Sequence, residues 1–246
     1  MDGFVSTDVG RDVPTPFPGG FGRVERRAGL SIRRLDGAQA ATLSKFVPGF
    51  DGDAVEAAAG LVRDAAAGRL GPLKFLAFDF ACDSIPDAPA AAGFGALVRE
   101  TANLVLAAPA VTVAYARGHV AGADLELALV CNMLVAEAGA SFSFAVDPVV
   151  SVRAYALLAQ KIGFVRAERL MEAEAVVSAV EMRDLFLAKA VVEAGAGFAG
   201  LGDFLARSVR RHNASFGIYR AQRIAMPLNL LEDAGQAEAA GLVRAS

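Results

Sequence analysis

The sequence predicts an α/β protein with parallel strands, built as one large domain or a core with a small appendage. Three observations carry that expectation. Apolar residues make up 54% of the 246 positions, above the roughly 45–50% of ordinary globular chains. Two mostly apolar runs, "LKFLAFDFA" (73–81) and "AVTVAYA" (110–116), have the length of strands buried on both faces. Segments with helical spacing alternate with them, and such alternation forms parallel sheets.

The elements follow in chain order. Residues 1–20 hold Pro14, Pro16, Pro18 and a Gly-Gly pair, and read as an extended or disordered arm. "GRVERRAGLSIRRLDG" reads as two short strands with a turn near Ala28 and Gly29. "DGDAVEAAAGLVRDAAAG" is a helix, with Asp53 as its N-cap and Gly68 as its stop. The strand at 73–81 comes next. "GFGALVRETANLVLAA" is a helix ended by Pro109. The strand at 110–116 then leads into a short helix, "GADLELALVCNM". "LVAEAG" and "SFSFAV" read as two further strands. Beyond Tyr155 the pattern is helical to about residue 240, which suits a lid or an oligomerisation element. No fixed-length repeat is present.

Composition narrows the function classes. The formal net charge is −3, whereas nucleic-acid binders are usually basic. Two cysteines, Cys82 and Cys131, make no disulfide framework, which points to a reducing, cytoplasmic setting. With only two histidines, His119 and His212, a multi-histidine metal site is not expected. The first residues lack the basic and apolar regions of a signal peptide. No uncharged apolar run reaches about 18 residues, so no spanning helix is expected.

The most informative stretch is "GHVAGADLELA" (118–128), where a buried strand turns into a helix that carries Asp124 and Glu126. The first N–H groups of a helix have no partner within the helix, and the macrodipole adds positive charge there. Such a place can stabilise a developing oxyanion. Gly118 and Gly122 permit a sharp turn and close approach to a ligand. Glu126 lies three residues after Ala123, so the two share a helix face. Helix side chains lean toward the N-terminus, which lets Glu126 reach an atom held by the Ala123 N–H. Asp124 is only two residues from Glu126 and points elsewhere. Two readings fit this spacing: ordinary first-turn acids that favour the helix start, or an oxyanion donor beside a carboxylate base.

The stretch "APAVTVAYARGHVAGADLELALVCNMLVAEAGASFSF" resembles the core signature of the crotonase, or enoyl-CoA hydratase/isomerase, superfamily. Pro109, Gly118, Gly122, Glu126, Leu127, Ala128, Cys131, Ala140 and Phe142 fall in step with that pattern without a gap. The similarity is strongest over residues 105–145. "AYALLAQKIGFVRAERLMEAEAVVSAVEM" further resembles the diffusible signal factor synthase branch. The resemblance implies a spiral of ββα units over residues 21–163 and a helical trimerisation region over 164–246. It implies a homotrimer or dimer of trimers acting on acyl thioesters in fatty acid metabolism. No cofactor is implied beyond the coenzyme A or acyl-carrier moiety of the substrate. By position, Ala123 gives one oxyanion-hole N–H and Glu126 is the first catalytic carboxylate.

Three departures stand against ordinary hydratase activity. The second hydratase carboxylate falls on Val146, with Asp147 the next residue. Asp147 either supplies the missing acid or caps the turn before Pro148. The loop "DPVVSVRAY" is shortened and has lost its glycines. The first oxyanion donor falls within "ACDSIPDAPAAAG", and a peptide near Ala88 to Ala90 is the nearest candidate, Ala88 being preferred; Pro89 itself has no N–H. Asp124 also stands where the family keeps a small residue.

Other residues invite plainer readings. His119 suits a hydrogen-bonded structural role more than that of a general base. Cys131 suits a packed thiol. Arg33, Arg34 and Lys45, with Arg210, Arg211, Arg220 and Arg223, are candidates for the coenzyme's phosphates, of which Arg33 and Lys45 are preferred. A solvated face is the ordinary use of such charges. The preferred activity is hydration or dehydration of an enoyl or hydroxyacyl thioester, a lyase reaction. The alternatives are a thioesterase, a dual dehydratase–thioesterase, and a non-catalytic relative kept for assembly or regulation.

Overall fold

A computed structural model describes residues 25–27, 29–35, 38–48, 52–84, 94–145 and 151–209. Ten strands and seven helices lie within them. The main sheet has seven strands. β1 (Glu25–Arg27), β2 (Leu30–Leu35) and β3 (Ala40–Lys45) run antiparallel to their neighbours in order. β4 (Phe75–Phe80), β5 (Val111–Ala116), β7 (Met133–Glu137) and β10 (Ala190–Val192) then continue parallel from β3. A three-stranded sheet joins β6 (His119–Val120), β8 (Ser141–Ser143) and β9 (Val176–Ser178).

The predicted elements have clear physical causes. Gly29, at φ +70°, makes the β1–β2 turn in a region that L side chains rarely enter. Every residue of β4 and β5 is buried, as the continuous apolar runs require. Parallel strands need crossovers. These are α1 (Gly52–Ala66), α2 (Phe94–Ala107) and α3 (Gly122–Val130). Asp53 falls in the first turn of α1 instead of before it. Gly68, at φ +72°, follows the end of α1, and α2 stops two residues before Pro109.

The structure departs from the expectation in two places. Residues 40–45, "AATLSK", alternate too weakly to signal a strand, yet all six are buried in β3. Ser44 and Lys45 are tolerated inside because each finds a carboxylate partner. Residues beyond Tyr155, expected as helix, include β9 and β10 between α4 (Ser151–Ile162), α5 (Phe164–Glu172), α6 (Ala179–Asp184) and α7 (Gly197–Val209). Three-residue strands are too short to show a period, and neighbouring backbone decides them. β10 pairs with β7, so the main sheet draws on residues beyond 163.

The sheet has two covered faces. On one, Leu43, Leu76, Phe78, Phe80, Ala114 and Ala116 pack against the apolar sides of α1 to α4. On the other, Phe75, Val113, Tyr115 and Val135 pack against Phe198, Leu201 and Leu205 of α7. No helix among the described residues is long and apolar enough to cross a membrane.

Gly118 shows how tightly the β5–β6 turn is built. A β-carbon there would lie 2.2 Å from Asp83 Oδ1, the oxygen that accepts the His119 N–H at 2.6 Å. Gly118→Ala is expected to displace that carboxylate and cost about 1–3 kcal/mol. The same change made in an Asp83→Ala background should cost less. Urea unfolding of the four proteins in the cycle checks both expectations.

Candidate active site

The strand–helix joint is the centre of the candidate site. β5 ends at Ala116, the chain turns at Gly118, and α3 begins at Gly122, whose φ is +55°. The N-cap is Ala121, in extended conformation, and it makes no side-chain cap bond. An alanine N-cap offers the first-turn N–H groups no side-chain acceptor. Unlike an amphipathic surface helix, α3 is buried all round from Ala123 to Val130. Glu126 therefore sits fully inside the protein. Ala123 packs against Val55 of α1 and Val98 of α2. The i, i+3 relation of Ala123 and Glu126 is thus realised in an α-helix at the end of a buried strand.

Asp124 turns away from that pair, toward β3. The Lys45 ammonium donates to Asp124 Oδ2 at 2.7 Å. The Ser84 hydroxyl donates to the same oxygen at 2.5 Å. Asp124 is 0% exposed and Lys45 4%. Asp124 Oδ1 is buried and has no hydrogen-bond partner among the described residues. Burial pushes the Asp124 carboxyl above its ordinary range, against the opposing pull of Lys45 and Ser84.

Lys45, a candidate for coenzyme phosphate, is thereby placed inside the protein with its ammonium on a carboxylate. Arg33, the other such candidate, lies on the opposite side of the sheet. Its Nε donates to Ser31 Oγ at 3.3 Å, and its guanidinium stands 5.1 Å from the Phe198 ring centre. The structure does not bring Arg33 to the joint. Ala88 and Asp147, like Val146, lie outside the described residues, as do Arg210, Arg211, Arg220 and Arg223.

The plainer readings are informative too. His119 Nδ1 lies 2.9 Å from Ser141 Oγ, a structural contact between β6 and β8. Cys131 is buried at the end of α3 and donates to the Leu127 carbonyl at 3.2 Å. Burial pushes its thiol up to about 12, so it is no nucleophile at neutral pH. Cys82, half-buried beside the joint, is also raised, chiefly by burial.

Several buried polar groups were not singled out by sequence. Arg117 holds Asp79 with two bonds, at 2.9 and 2.6 Å, and Ser44 adds a third at 2.7 Å. Burial still raises the Asp79 carboxyl, more than Arg117 lowers it. Glu137 accepts the N–H groups of Gly195 at 2.7 Å and Gly197 at 2.8 Å. The Tyr115 hydroxyl lies 2.9 Å from both Glu137 Oε1 and the Gly197 carbonyl. These contacts seat α7 on the far side of the sheet from α3. An acid or hydroxyl within a buried strand was the available signal.

Comparison with known proteins places this architecture. No family model matches the chain, and no curated protein matches it. Solved structures do. An enoyl-CoA hydratase from Mycobacterium avium subsp. paratuberculosis K-10 superimposes with a TM-score of 0.72 at 20% identity, over 87% of this chain and 92% of that one. An enoyl-CoA hydratase from Geobacillus kaustophilus gives 0.65 at 16% identity, over 91% and 92%. DspI from Pseudomonas aeruginosa gives 0.65 at 17% identity, over 90% and 98%. The chain is therefore a crotonase-fold α/β protein. At these identities the likeness establishes the fold, and the chemistry has to come from the site.

Removing one partner of a buried ion pair strands the other. Lys45→Met is expected to cost about 3–5 kcal/mol by leaving Asp124 without its cation. Lys45→Met combined with Asp124→Leu should recover most of that loss, because apolar groups of similar size replace the pair. Chemical denaturation of the single and double variants reads the difference.

Proposed function

We propose that this protein processes acyl thioesters by enolate chemistry, with hydration or dehydration of an enoyl or hydroxyacyl thioester as the reaction. The observation that carries this reading is the buried joint itself. Ala123 and Glu126 occupy successive turns at the start of α3, in a crotonase-fold chain whose neighbours include enoyl-CoA hydratases. In this reading the Ala123 N–H binds the thioester oxygen, aided by the helix dipole. In dehydration, Glu126 takes the proton at the carbon next to the thioester. The electron pair passes to the thioester oxygen as an enolate. The enolate then re-forms the carbonyl and expels the 3-hydroxyl, which takes the proton from Glu126 and leaves as water. One carboxylate in two roles balances the reaction, and Asp147 is the candidate for sharing the work.

Incubation with short- and medium-chain enoyl-CoAs, followed by loss of the conjugated-thioester absorbance, tests the reading. Glu126→Gln should lower turnover by about 10²–10⁴-fold with the fold kept. No turnover by the unaltered protein sinks the proposal. Release of free thiol instead would assign it to thioester hydrolysis.

Self-association as a trimer or dimer of trimers belongs to the same proposal. Among the described residues, five of the six exposed large apolar side chains lie between Phe164 and Phe186. Exposed large apolar side chains suit an interface between copies of the chain. Sedimentation should report a multiple of the 25.4 kDa chain, and a monomer at micromolar concentration would contradict it.

A further inference from the structure

The ion pair at the joint has a second use, which rests on the function proposed above. We infer that Asp124 is a positioning residue: paired with Lys45, it tethers Ser84 and so fixes the chain leaving β4 against the first turn of α3.

Three hydrogen bonds hold the chain leaving β4, two of them to His119 of β6 and one to Asp124 of α3. The Ser84 N–H donates to the His119 carbonyl at 2.6 Å. The His119 N–H donates to Asp83 Oδ1 at 2.6 Å. The Ser84 hydroxyl donates to Asp124 Oδ2 at 2.5 Å. Lys45 and Ser84 both use the same carboxylate oxygen, and Oδ1 is left unpartnered among the described residues. Burying such a pair adds little stability by itself. What the arrangement does accomplish is to lock three elements, β3, the exit of β4 and α3, at one atom. Ala123, the proposed oxyanion donor, is the residue before Asp124. A donor misplaced by about 1 Å can cost on the order of 100-fold in rate.

The test uses the full chain with Ser84→Ala, Ser84→Thr, and the double variant Lys45→Met/Asp124→Leu. Ser84→Ala should lower kcat on enoyl-CoA by about tenfold or more with KM within about twofold. Ser84→Thr should restore it. Adding Ser84→Ala to the double variant should lower kcat no further, because the tether is already gone. A lower unfolding midpoint with unchanged kcat in Ser84→Ala overturns the inference. So does a double variant with the unaltered protein's kcat. Native-state amide exchange supplies a readout that needs no activity. Ser84→Ala should speed exchange at residue 84 and His119 by about tenfold while Val113 in β5 is unchanged. If the unaltered protein turns over no thioester, the proposed function fails and exchange alone decides the tether. Unchanged exchange at both sites overturns it.

Discussion

The contact between Lys45 and Asp124 joins the third strand of the sheet to the helix that carries the candidate site. Both charges are out of water, so neither is tolerable without the other. That mutual requirement fixes which way α3 faces. With Asp124 turned toward β3, Glu126 two residues later is directed to another side of the helix. The acid that looked anomalous in the sequence orients the acid that carries the proposed chemistry.

Buried carboxylates recur at the ends of the parallel strands, each with its own solution. Asp79 at the end of β4 is held by Arg117 and Ser44. Glu137 at the end of β7 takes the backbone N–H groups of the turn before α7. Those two lie on the α7 face, and Asp124 and Glu126 belong to α3 on the other. The sheet thus separates a polar network that seats a helix from a polar cluster that borders the candidate site. Burial raises both aspartates against their partners' pull. Such polar clusters add orientation more than stability.

The sequence was legible where hydrophobic length decided structure. The runs at 73–81 and 110–116 became β4 and β5 because only buried strands satisfy them. Gly29, Gly68 and Pro109 marked a turn and two helix ends through their own backbone limits. It was illegible where partners decided structure. β3 looked unremarkable because Ser44 and Lys45 are polar, and their burial depends on Asp79 and Asp124, 35 and 79 residues away. β9 and β10 are three residues each, and pairing with β8 and β7 makes them strands.

For the site, the split is equally physical. Spacing alone determined that Ala123 and Glu126 share a face of a helix following a buried strand, because helical periodicity is local. It also determined that Asp124 points away from them. Only the tertiary structure decided where Asp124 goes, and that Lys45 faces a carboxylate inside the protein instead of a phosphate outside it. The partners come from three separate elements, and no local pattern encodes which side chains a folded sheet brings together.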